Sequence, residues 1–264
     1  MSILPLTVGI DAGATLCKVA FQDGTGLRTE CYPSSQLDQV RARLDVWQPK
    51  RVVATGGAAW HFGQFPQVSE FEAWSHGARL LAARAGWTLS APYLLVSLGT
   101  GTSILEVSDG GYRRVGGTAL GGGTIMGLGS VLLQTASYAK IAELASRGDR
   151  SKVDLLVRDI YTGEELPLPG ELTAANFGKL DSKAPEDLAH AIMGLVGENV
   201  GLLCSGAARE SRAATILYCG STLLDNPTLE AILVGVCGSF GLRGLIPAEG
   251  AYCGALGAAA LAEP

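Results

Sequence analysis

The sequence predicts an α/β fold made of two similar halves, each a mixed sheet flanked by helices, with a cleft between the halves. Short apolar segments typical of buried strands alternate with segments in which apolar residues recur at helical spacing. One order of elements also occurs twice, namely a strand, a turn of small residues, two more strands and a helix. We therefore expect one half over residues 1–90 and the other over 91–264, the second carrying an excursion at about 146–182.

The first half is predicted to hold four strands and two helices. Short apolar runs indicate the strands, and a glycine-rich segment at 23–26 is typical of a hairpin turn between the second and third. The predicted positions are strands at 6–10, 16–21, 28–32 and 51–57, the last ending in a glycine turn, and helices at 37–47 and 73–85.

The second half repeats this order and adds helices. A hairpin turn is predicted at 109–111, and the polar excursion is expected to hold one short helix at 153–161. The remaining predictions are strands at 93–98, 103–107, 112–115 and 215–219, a helix from Ile125 past Leu133, a long helix at 184–209, and helices around Leu229 and Ala255.

Length and charge narrow the class of ligand. The chain has 264 residues, 47% of them hydrophobic, and a formal net charge of −5 at pH 7. This length supplies enough apolar surface for a sizeable core. The scattered basic residues form no patch typical of nucleic-acid binding, whereas local donors can still bind small anions. We expect a small-molecule substrate and no nucleic-acid partner.

Cysteine usage and the apolar tracts predict a cytoplasmic protein with no membrane segment. The six cysteines include no Cys-x-x-Cys pair, which favours reduced thiols in the core. The first residues lack the basic and apolar regions of a signal peptide. The apolar tract at 251–262 is too short and too glycine-rich to span a bilayer.

The functional prediction rests on two turns of small residues. The first, at 11–15, begins with Asp11 at the end of an apolar strand, where a carboxylate is costly to bury without a partner. The second, at 99–102, reads Gly-Thr-Gly-Thr. Such turns expose backbone N–H groups, so two facing turns can hold a polyphosphate, and Asp11 can hold a hydrated Mg²⁺ beside it. Lys18 lies past the first turn and either reaches the phosphates or faces solvent.

Two other glycine segments have open interpretations. Three glycines at 121–123 open a helix and either add N–H donors near an anion or allow tight packing on the sheet. Gly220 and Ser221 follow a buried strand, where open α/β sheets bind ligands, and a plain turn is the alternative. No Walker A sequence occurs, and the histidines have no metal-ligand spacing.

Five motifs, in order, resemble those of the bacterial type II pantothenate kinases over nearly the whole chain. This family belongs to the actin-like ATPase superfamily, whose fold is a pair of duplicated ribonuclease H-like domains. The two turns are common to the superfamily, whereas the motifs RRVGG at 113–117 and LTAANFG at 172–178 are more specific. The motifs are SEFEA at 69–73, RRVGG at 113–117, GGG at 121–123, GDR with VDL at 148–155, and LTAANFG at 172–178.

The resemblance implies a homodimeric kinase that uses ATP and Mg²⁺ to phosphorylate the terminal hydroxyl of pantothenate, the first step to coenzyme A, with pantetheine a second candidate acceptor. It implies that Glu70 is the general base, that Arg114 grips the substrate or the transferring phosphate, and that Thr173 and Ala174 contact the substrate. The nucleotide and its Mg²⁺, the latter held by Asp11 through water, would contact Asp11, Ala12, Gly13, Ala14, Thr15, Leu16, Cys17, Lys18, Gly99, Thr100, Gly101, Thr102, Gly122, Gly123, Thr124, Ile125, Met126, Tyr138 and Ser221.

One position departs from the family pattern: Ala14 stands where a second glycine is usual in the first turn. A positive φ at this residue would strain an alanine. We expect an allowed φ at Ala14 instead, with slightly less space beside the phosphates.

Alternative roles exist for the charged candidates. Ser69 and Glu72 have capping-box spacing, so Glu70 in the same first turn could simply complement the helix dipole. Arg113 and Arg114 are adjacent and should point to opposite faces of a strand, leaving one in solvent. Glu198 either orders the water shell of the metal or is a solvated helix residue.

Two other functions are also compatible with the turns. A kinase of the same superfamily acting on a sugar or amino sugar would keep both turns. A non-catalytic nucleotide switch would bind ATP without an alcohol acceptor. The apolar helices at 125–145 and 186–208 and the family resemblance together predict a homodimer.

Overall fold

The computed structural model describes residues 7–23, 26–161 and 169–262, and it contains two larger sheets. The first sheet has the strand order β3-β2-β1-β4, in which β1 is antiparallel to β2 and parallel to β4. Its strands are β1 (Thr7–Ala12), β2 (Leu16–Asp23), β3 (Gly26–Pro33) and β4 (Arg51–Thr55). The predicted hairpin turn at 23–26 lies partly outside the described residues.

The second sheet repeats this arrangement. Its order is β11-β10-β5-β6-β7, with β5 antiparallel to β6 and parallel to β10. The bounds are β5 (Tyr93–Leu98), β6 (Thr102–Ser108), β7 (Gly111–Thr118), β10 (Thr215–Cys219) and β11 (Arg243–Leu245), while β8 (Leu155–Leu156) and β9 (Thr173–Ala175) form a separate pair. The duplicated order of elements is confirmed, and the division at residue 90 stays a prediction.

Eight α-helices cover the sheets within the described part of the chain. Their bounds are α1 (Leu37–Trp47), α2 (Glu70–Arg84), α3 (Gly122–Leu132), α4 (Tyr138–Ala145), α5 (Val157–Ile160), α6 (Pro185–Ser211), α7 (Pro227–Ser239) and α8 (Cys253–Leu261). Helix α6 is long and apolar enough to cross a membrane by length and composition alone. Its most apolar window is 67% buried inside the protein, as expected of a core helix.

Helices α2 and α8 lie between the sheets and connect them. Helix α8 packs on α2, β1 and β2, and both helices contribute to the core beside β5 and β10. The backbones approach closely because small residues face each other: a Cβ at Gly77 would lie 1.9 Å from the Cys253 carbonyl oxygen. This packing brings the ends of β1 and β5 to one cleft.

Three predicted helices have different bounds. The excursion forms only β8 and α5 in place of a helix at 153–161, because Asp154 accepts from the Phe177 N–H and β8 pairs with β9. The helix expected past Leu133 is broken into α3 and α4, with Gln134 at φ 54°. Helix α2 begins at Glu70, three residues before the prediction, because Ser69 caps it.

Candidate active site

A cavity of about 780 Å³ lies between the two small-residue turns. It is bounded by the ends of β1 and β5, the N-termini of α2 and α3, and the segment that enters α8. Most of the predicted site residues line it, namely Asp11, Gly13, Ala14, Thr15, Leu16, Lys18, Glu70, Gly99, Thr100, Gly101, Thr102, Arg114, Gly122, Gly123, Met126, Tyr138 and Ser221.

The two turns face each other across this cavity. Thr15 Oγ1 and Thr100 Oγ1 lie 3.2 Å apart, within hydrogen-bond distance. Each turn is braced internally, since the Gly13 N–H donates to the Leu16 carbonyl and the Gly99 N–H donates to the Gly101 carbonyl. Ala14 is not among the residues with positive φ, so the expected allowed φ is confirmed. The turns therefore face each other as predicted, but the N–H groups of Gly13 and Gly99 are used within the turns and are not free for an anion.

The glycine segment before α3 packs directly against the second turn. The N–H groups of Gly122 and Gly123 donate to the carbonyl oxygens of Gly99 and Thr100 at 2.8 and 2.9 Å. A Cβ at Gly121 would lie 2.7 Å from the Thr100 carbonyl oxygen. These N–H groups are thus already bonded, and tight packing explains the glycines.

Asp11 and Lys18 form an ion pair at the base of the cavity. Their register pairs them across β1 and β2, and Lys18 Nζ lies 3.1 Å from Asp11 Oδ2. The side chains are only 8% and 11% exposed. Lys18 was predicted either to reach the phosphates or to face solvent. The solvent-facing position is excluded, because the ammonium group is held against the carboxylate at the cavity wall.

Glu70, the first residue of α2, also lines the cavity. Ser69 Oγ accepts from the Glu72 N–H at 3.2 Å, which confirms the predicted N-cap. Burial raises the pKa of Glu70, and the charge of Asp11 adds to the rise. Lys18 and a hydrogen bond from the Gly57 N–H oppose it. Among these influences on the pKa of Glu70, desolvation has the largest effect.

The two arginines of β7 diverge, as predicted. Arg113 makes a bidentate contact with Glu106 on the outer face, with Nη2 to Oε2 at 2.7 Å. Arg114 lines the cavity, and within the described residues its guanidinium has no carboxylate within ion-pair distance. A Cβ at Gly117 would lie 2.5 Å from Arg114 Nη2, so the glycine of the motif gives this side chain its space.

Tyr138 lines the cavity and is held in place by two hydrogen bonds. Its hydroxyl donates to the Thr222 carbonyl and accepts from Asn226 Nδ2 at 2.8 Å. Burial raises the pKa of Tyr138 to about 12, so the hydroxyl stays protonated at neutral pH. The ring beside Met126 gives the cavity an apolar wall.

Six of the predicted residues do not line the cavity. Ala12, Cys17 and Ile125 are fully buried in the core, and Thr124 Oγ1 donates to the Ala119 carbonyl. Thr173 and Ala174 lie on β9 in the excursion. The roles assigned to these residues stay predictions.

Glu198 fits neither of its two predicted roles. Its side chain is buried and bonds Arg150 Nη1 at 2.7 Å. It also accepts from the N–H and the hydroxyl of Thr173, both at 2.6 Å. Glu198 therefore fastens the excursion to α6.

Other lining residues were not predicted from the sequence. Gly57 follows β4, and a glycine turn was recognised there without a function. The cavity is also lined by Gly250, Ala251, Cys253 and Gly254. They reach it because α8 folds back onto β1, for which the local sequence carries no signal. The others include Trp74, Ser97, Ser103, Thr118, Ala139, Thr222, Leu224 and Asp225. Within residues 7–23, 26–161 and 169–262, no group of three or more His, Cys, Asp or Glu residues is arranged for a metal.

Solved structures with the same fold include nucleotide-binding proteins. The activator of the 2-hydroxyisocaproyl-CoA dehydratase from Clostridium difficile, with bound ADPNP, aligns with a TM-score of 0.64 at 14% identity over 97% of this chain and 93% of that one. A ROK family glucokinase from Streptomyces griseus, in complex with glucose and AMPPNP, aligns with a TM-score of 0.59 at 12% identity over 97% and 99%. These identities establish the fold alone, a pair of ribonuclease H-like units.

Sequence comparison defines the family. A family model described as Fumble matches residues 87–260. The type II pantothenate kinase of Staphylococcus aureus (strain USA300) is 36% identical over 263 residues, covering 96% of this chain and 98% of that protein. The protein of strain bovine RF122 / ET3-1 matches equally. The chain belongs to the type II pantothenate kinase family.

Proposed function

We propose that this enzyme transfers the γ-phosphoryl group of ATP to the terminal hydroxyl of pantothenate. The hydroxyl oxygen attacks the γ-phosphorus, the bond to the β-phosphate oxygen breaks, and ADP leaves. Family membership supports this acceptor. The observation that carries the proposal is the cavity itself, in which two braced turns suited to a triphosphate stand beside a carboxylate and an arginine that has no carboxylate partner among the described residues.

Glu70 is proposed as the group that orients the hydroxyl and accepts its proton. Burial raises its pKa, which makes the carboxylate a stronger base. This assignment accounts for a half-buried carboxyl at a helix start, which dipole stabilisation alone does not require.

Arg114 is proposed to bind the carboxylate of pantothenate or the transferring phosphoryl group. A guanidinium binds two oxygens of either group at once. Arg113 cannot take this part because Glu106 already occupies its donors. An acceptor with a carboxylate therefore suits this cavity better than a neutral sugar.

The site fits Mg²⁺ held by Asp11 through water. Lys18 occupies Asp11 Oδ2, which disfavours direct coordination by both oxygens but leaves a water-mediated contact open. When bound with the nucleotide, the ion would neutralise phosphate charge. Asp11 would accept from its water shell, and Lys18 would hold Asp11 in place.

An acceptor panel tests the proposed function. Purified enzyme with ATP and Mg²⁺ is given pantothenate, pantetheine, glucose, N-acetylglucosamine or no acceptor, and ADP release is measured. We expect ADP release with pantothenate to exceed the acceptor-free rate by at least about a hundredfold. If no acceptor raises the rate of ADP release, the protein is a nucleotide switch and not a kinase. If a sugar raises it more than pantothenate does, the acceptor is a sugar.

A homodimer is proposed through one apolar face on α3 and α6. These helices pack together, and Val131, Leu132, Leu202 and Leu203 on them are 77%, 41%, 40% and 48% exposed. We expect a dimer at micromolar concentration in sedimentation and a monomer for Leu203→Glu with Val131→Glu. Val46→Glu on α1, also highly exposed, is the control and should stay dimeric.

The cytoplasm is the proposed compartment for this reaction. All six cysteines are free thiols, and five are buried. A reducing compartment keeps such thiols from pairing. Cell fractionation followed by the ADP-release assay checks this, with activity expected in the soluble fraction.

A further inference from the structure

A second cavity of about 400 Å³ lies at the opposite end of the second sheet from the active site. It is formed by the second half of α2, the segment between α2 and β5, the start of β5 and the end of β6. Tyr93 begins β5 and Gly99 follows it, so the two cavities are separated by about 20 Å of strand. No residue lines both cavities.

Tyr93 gives this cavity an unsatisfied polar group. The side chain is 4% exposed, and its hydroxyl has no hydrogen-bond partner in the described part of the chain. Burial raises the pKa of Tyr93, so the hydroxyl is a permanent donor at neutral pH. The Arg79 guanidinium opposes that rise, yet no hydrogen bond of accepted geometry joins the two groups. A buried hydroxyl without a partner is costly, and an acceptor placed here would remove the cost.

The remaining walls combine a cation with an apolar surface. Arg79 stands at the mouth, and no carboxylate lies within ion-pair distance of it among the described residues. Trp87 and Leu89 form a half-buried apolar wall. Asp109 is also at the mouth, where solvent screens its charge. An acceptor that satisfies both Arg79 and Tyr93 is an anion, and the planar guanidinium favours a carboxylate.

We propose that this cavity binds a small molecule that carries a carboxylate on an apolar body. The carboxylate would accept from the Tyr93 hydroxyl and from Arg79, and the body would pack on Trp87 and Leu89. The site is separate from the one proposed for pantothenate. It lies on the same helix as Glu70, nine residues further along α2.

Direct titration tests the proposal with 3-phenylpropanoate as the probe and 3-phenylpropanamide as its neutral match. Binding is measured on the full-length enzyme by ligand-observed NMR. A dissociation constant on the order of 1 mM is expected for the carboxylate, in line with a probe of this size. The amide should bind at least about tenfold more weakly, because it cannot pair with Arg79.

Four variants locate the binding. Tyr93→Phe and Arg79→Gln should each weaken binding of the carboxylate probe at least about fivefold. Arg84→Gln should not weaken it, because Arg84 is an exposed residue of the same helix that pairs with Glu249. Arg114→Gln should leave binding unchanged, since it alters the active site only. Melting temperatures close to wild type show that the variants fold.

Three outcomes would overturn the proposal. One is the absence of binding at 10 mM probe, which would mean that water and not a ligand satisfies the Tyr93 hydroxyl. Another is equal binding of acid and amide. The third is a loss of binding in Arg114→Gln but not in Arg79→Gln, which would place the probe in the active-site cleft. None of these results depends on whether pantothenate is the acceptor.

Discussion

Thr15 and Thr100 come from turns 85 residues apart in the chain, and their hydroxyl oxygens lie 3.2 Å from each other. Thr15 follows β1 and Thr100 follows β5, so this contact joins the equivalent strands of the two sheets. Each hydroxyl lines the cavity and can rotate to donate to the other or to a bound oxygen. The contact therefore joins the two turns at the wall of the cavity.

A double-mutant cycle on this pair tests its part in nucleotide binding. Thr15→Val and Thr100→Val should each raise the KM for ATP about three- to tenfold, since each removes a hydroxyl worth about 1 kcal/mol. The double variant should show less than the summed effect, because the two hydroxyls share one bond. Thr215→Val, at the start of β10 and outside the cavity, is the control. Unchanged KM values in both single variants would contradict the phosphate role.

Removing the proposed base gives a second test. Glu70→Gln keeps the shape of the side chain but cannot accept a proton, so the turnover number should fall at least about a hundredfold. The KM for ATP should change by less than about threefold, because Glu70 is not assigned to the nucleotide. Glu72→Gln, in the same turn of α2 but outside the cavity, is the matched control. Near-normal turnover in Glu70→Gln would exclude the assignment.

The raised pKa of Glu70 also predicts how stability depends on pH. The folded state holds this proton more tightly than the unfolded state, whose value is near 4.5. The stabilisation is therefore complete below about pH 4.5 and is lost as the pH rises through the folded-state pKa. Glu70→Gln cannot ionise, so it should melt at a higher temperature than wild type at pH 7.5.

That difference in melting temperature should shrink as the pH falls towards 4.5. Thermal unfolding from pH 4 to pH 8 measures it, with Glu72→Gln controlling for the loss of one carboxylate from the first turn of α2. A variant that is less stable than wild type at pH 7.5 would mean that ionised Glu70 is favoured by its surroundings, against the assigned direction.

Local sequence was enough to predict the strands of the two larger sheets except β11, together with the two turns and the cap of α2, but not the short strands β8 and β9. Strand β5 begins and ends at the predicted residues, since a short apolar run closed by Gly-Thr-Gly leaves little choice. The pairing of Asp11 with Lys18 was missed, although the hairpin register that places them opposite each other follows from the turn length.

Long-range packing accounts for the rest of the site. Gly254 and Cys253 enter the cavity because α8 crosses back to β1, and no periodic pattern encodes that path. The burial of Glu198 also depends on long-range packing. A glutamate in the middle of α6 is expected to be solvated, but the segments that hold Arg150 and Thr173, more than 20 positions away in the chain, cover it. The single helix expected at 153–161 failed for the same reason, because bonds from distant residues outweighed helix propensity.

Because Glu198 is buried, truncation of its side chain is expected to destabilise the protein strongly. Glu198→Ala removes one carboxylate with three partners and leaves the side chain of Arg150 short of its nearest anion. We expect the free energy of unfolding to fall by about 3 kcal/mol. Glu143→Ala, which breaks exposed pairs with Lys140 and Arg147, should cost at most about 1 kcal/mol. Equal losses in denaturant unfolding would show that the buried network is not special.

A substitution at Gly254 is expected to displace Asp11 without changing any charged residue. A Cβ at this position would lie 2.7 Å from Asp11 Oδ2, so Gly254→Ala must displace the carboxylate from Lys18 or shift α8. We expect kcat/KM for MgATP to fall at least about tenfold, because positioning errors of this size weaken binding in the transition state.

The matched control is Gly206→Ala, also a helical glycine, where an added Cβ meets nothing within 4 Å. It should keep full activity and gain up to about 1 kcal/mol of stability, since alanine favours the helix. Circular dichroism would show that both variants are folded before the kinetics are compared. If Gly254→Ala and Gly206→Ala are equally active, the position of the Asp11 carboxylate does not limit the reaction, and its role in holding the metal through water is wrong.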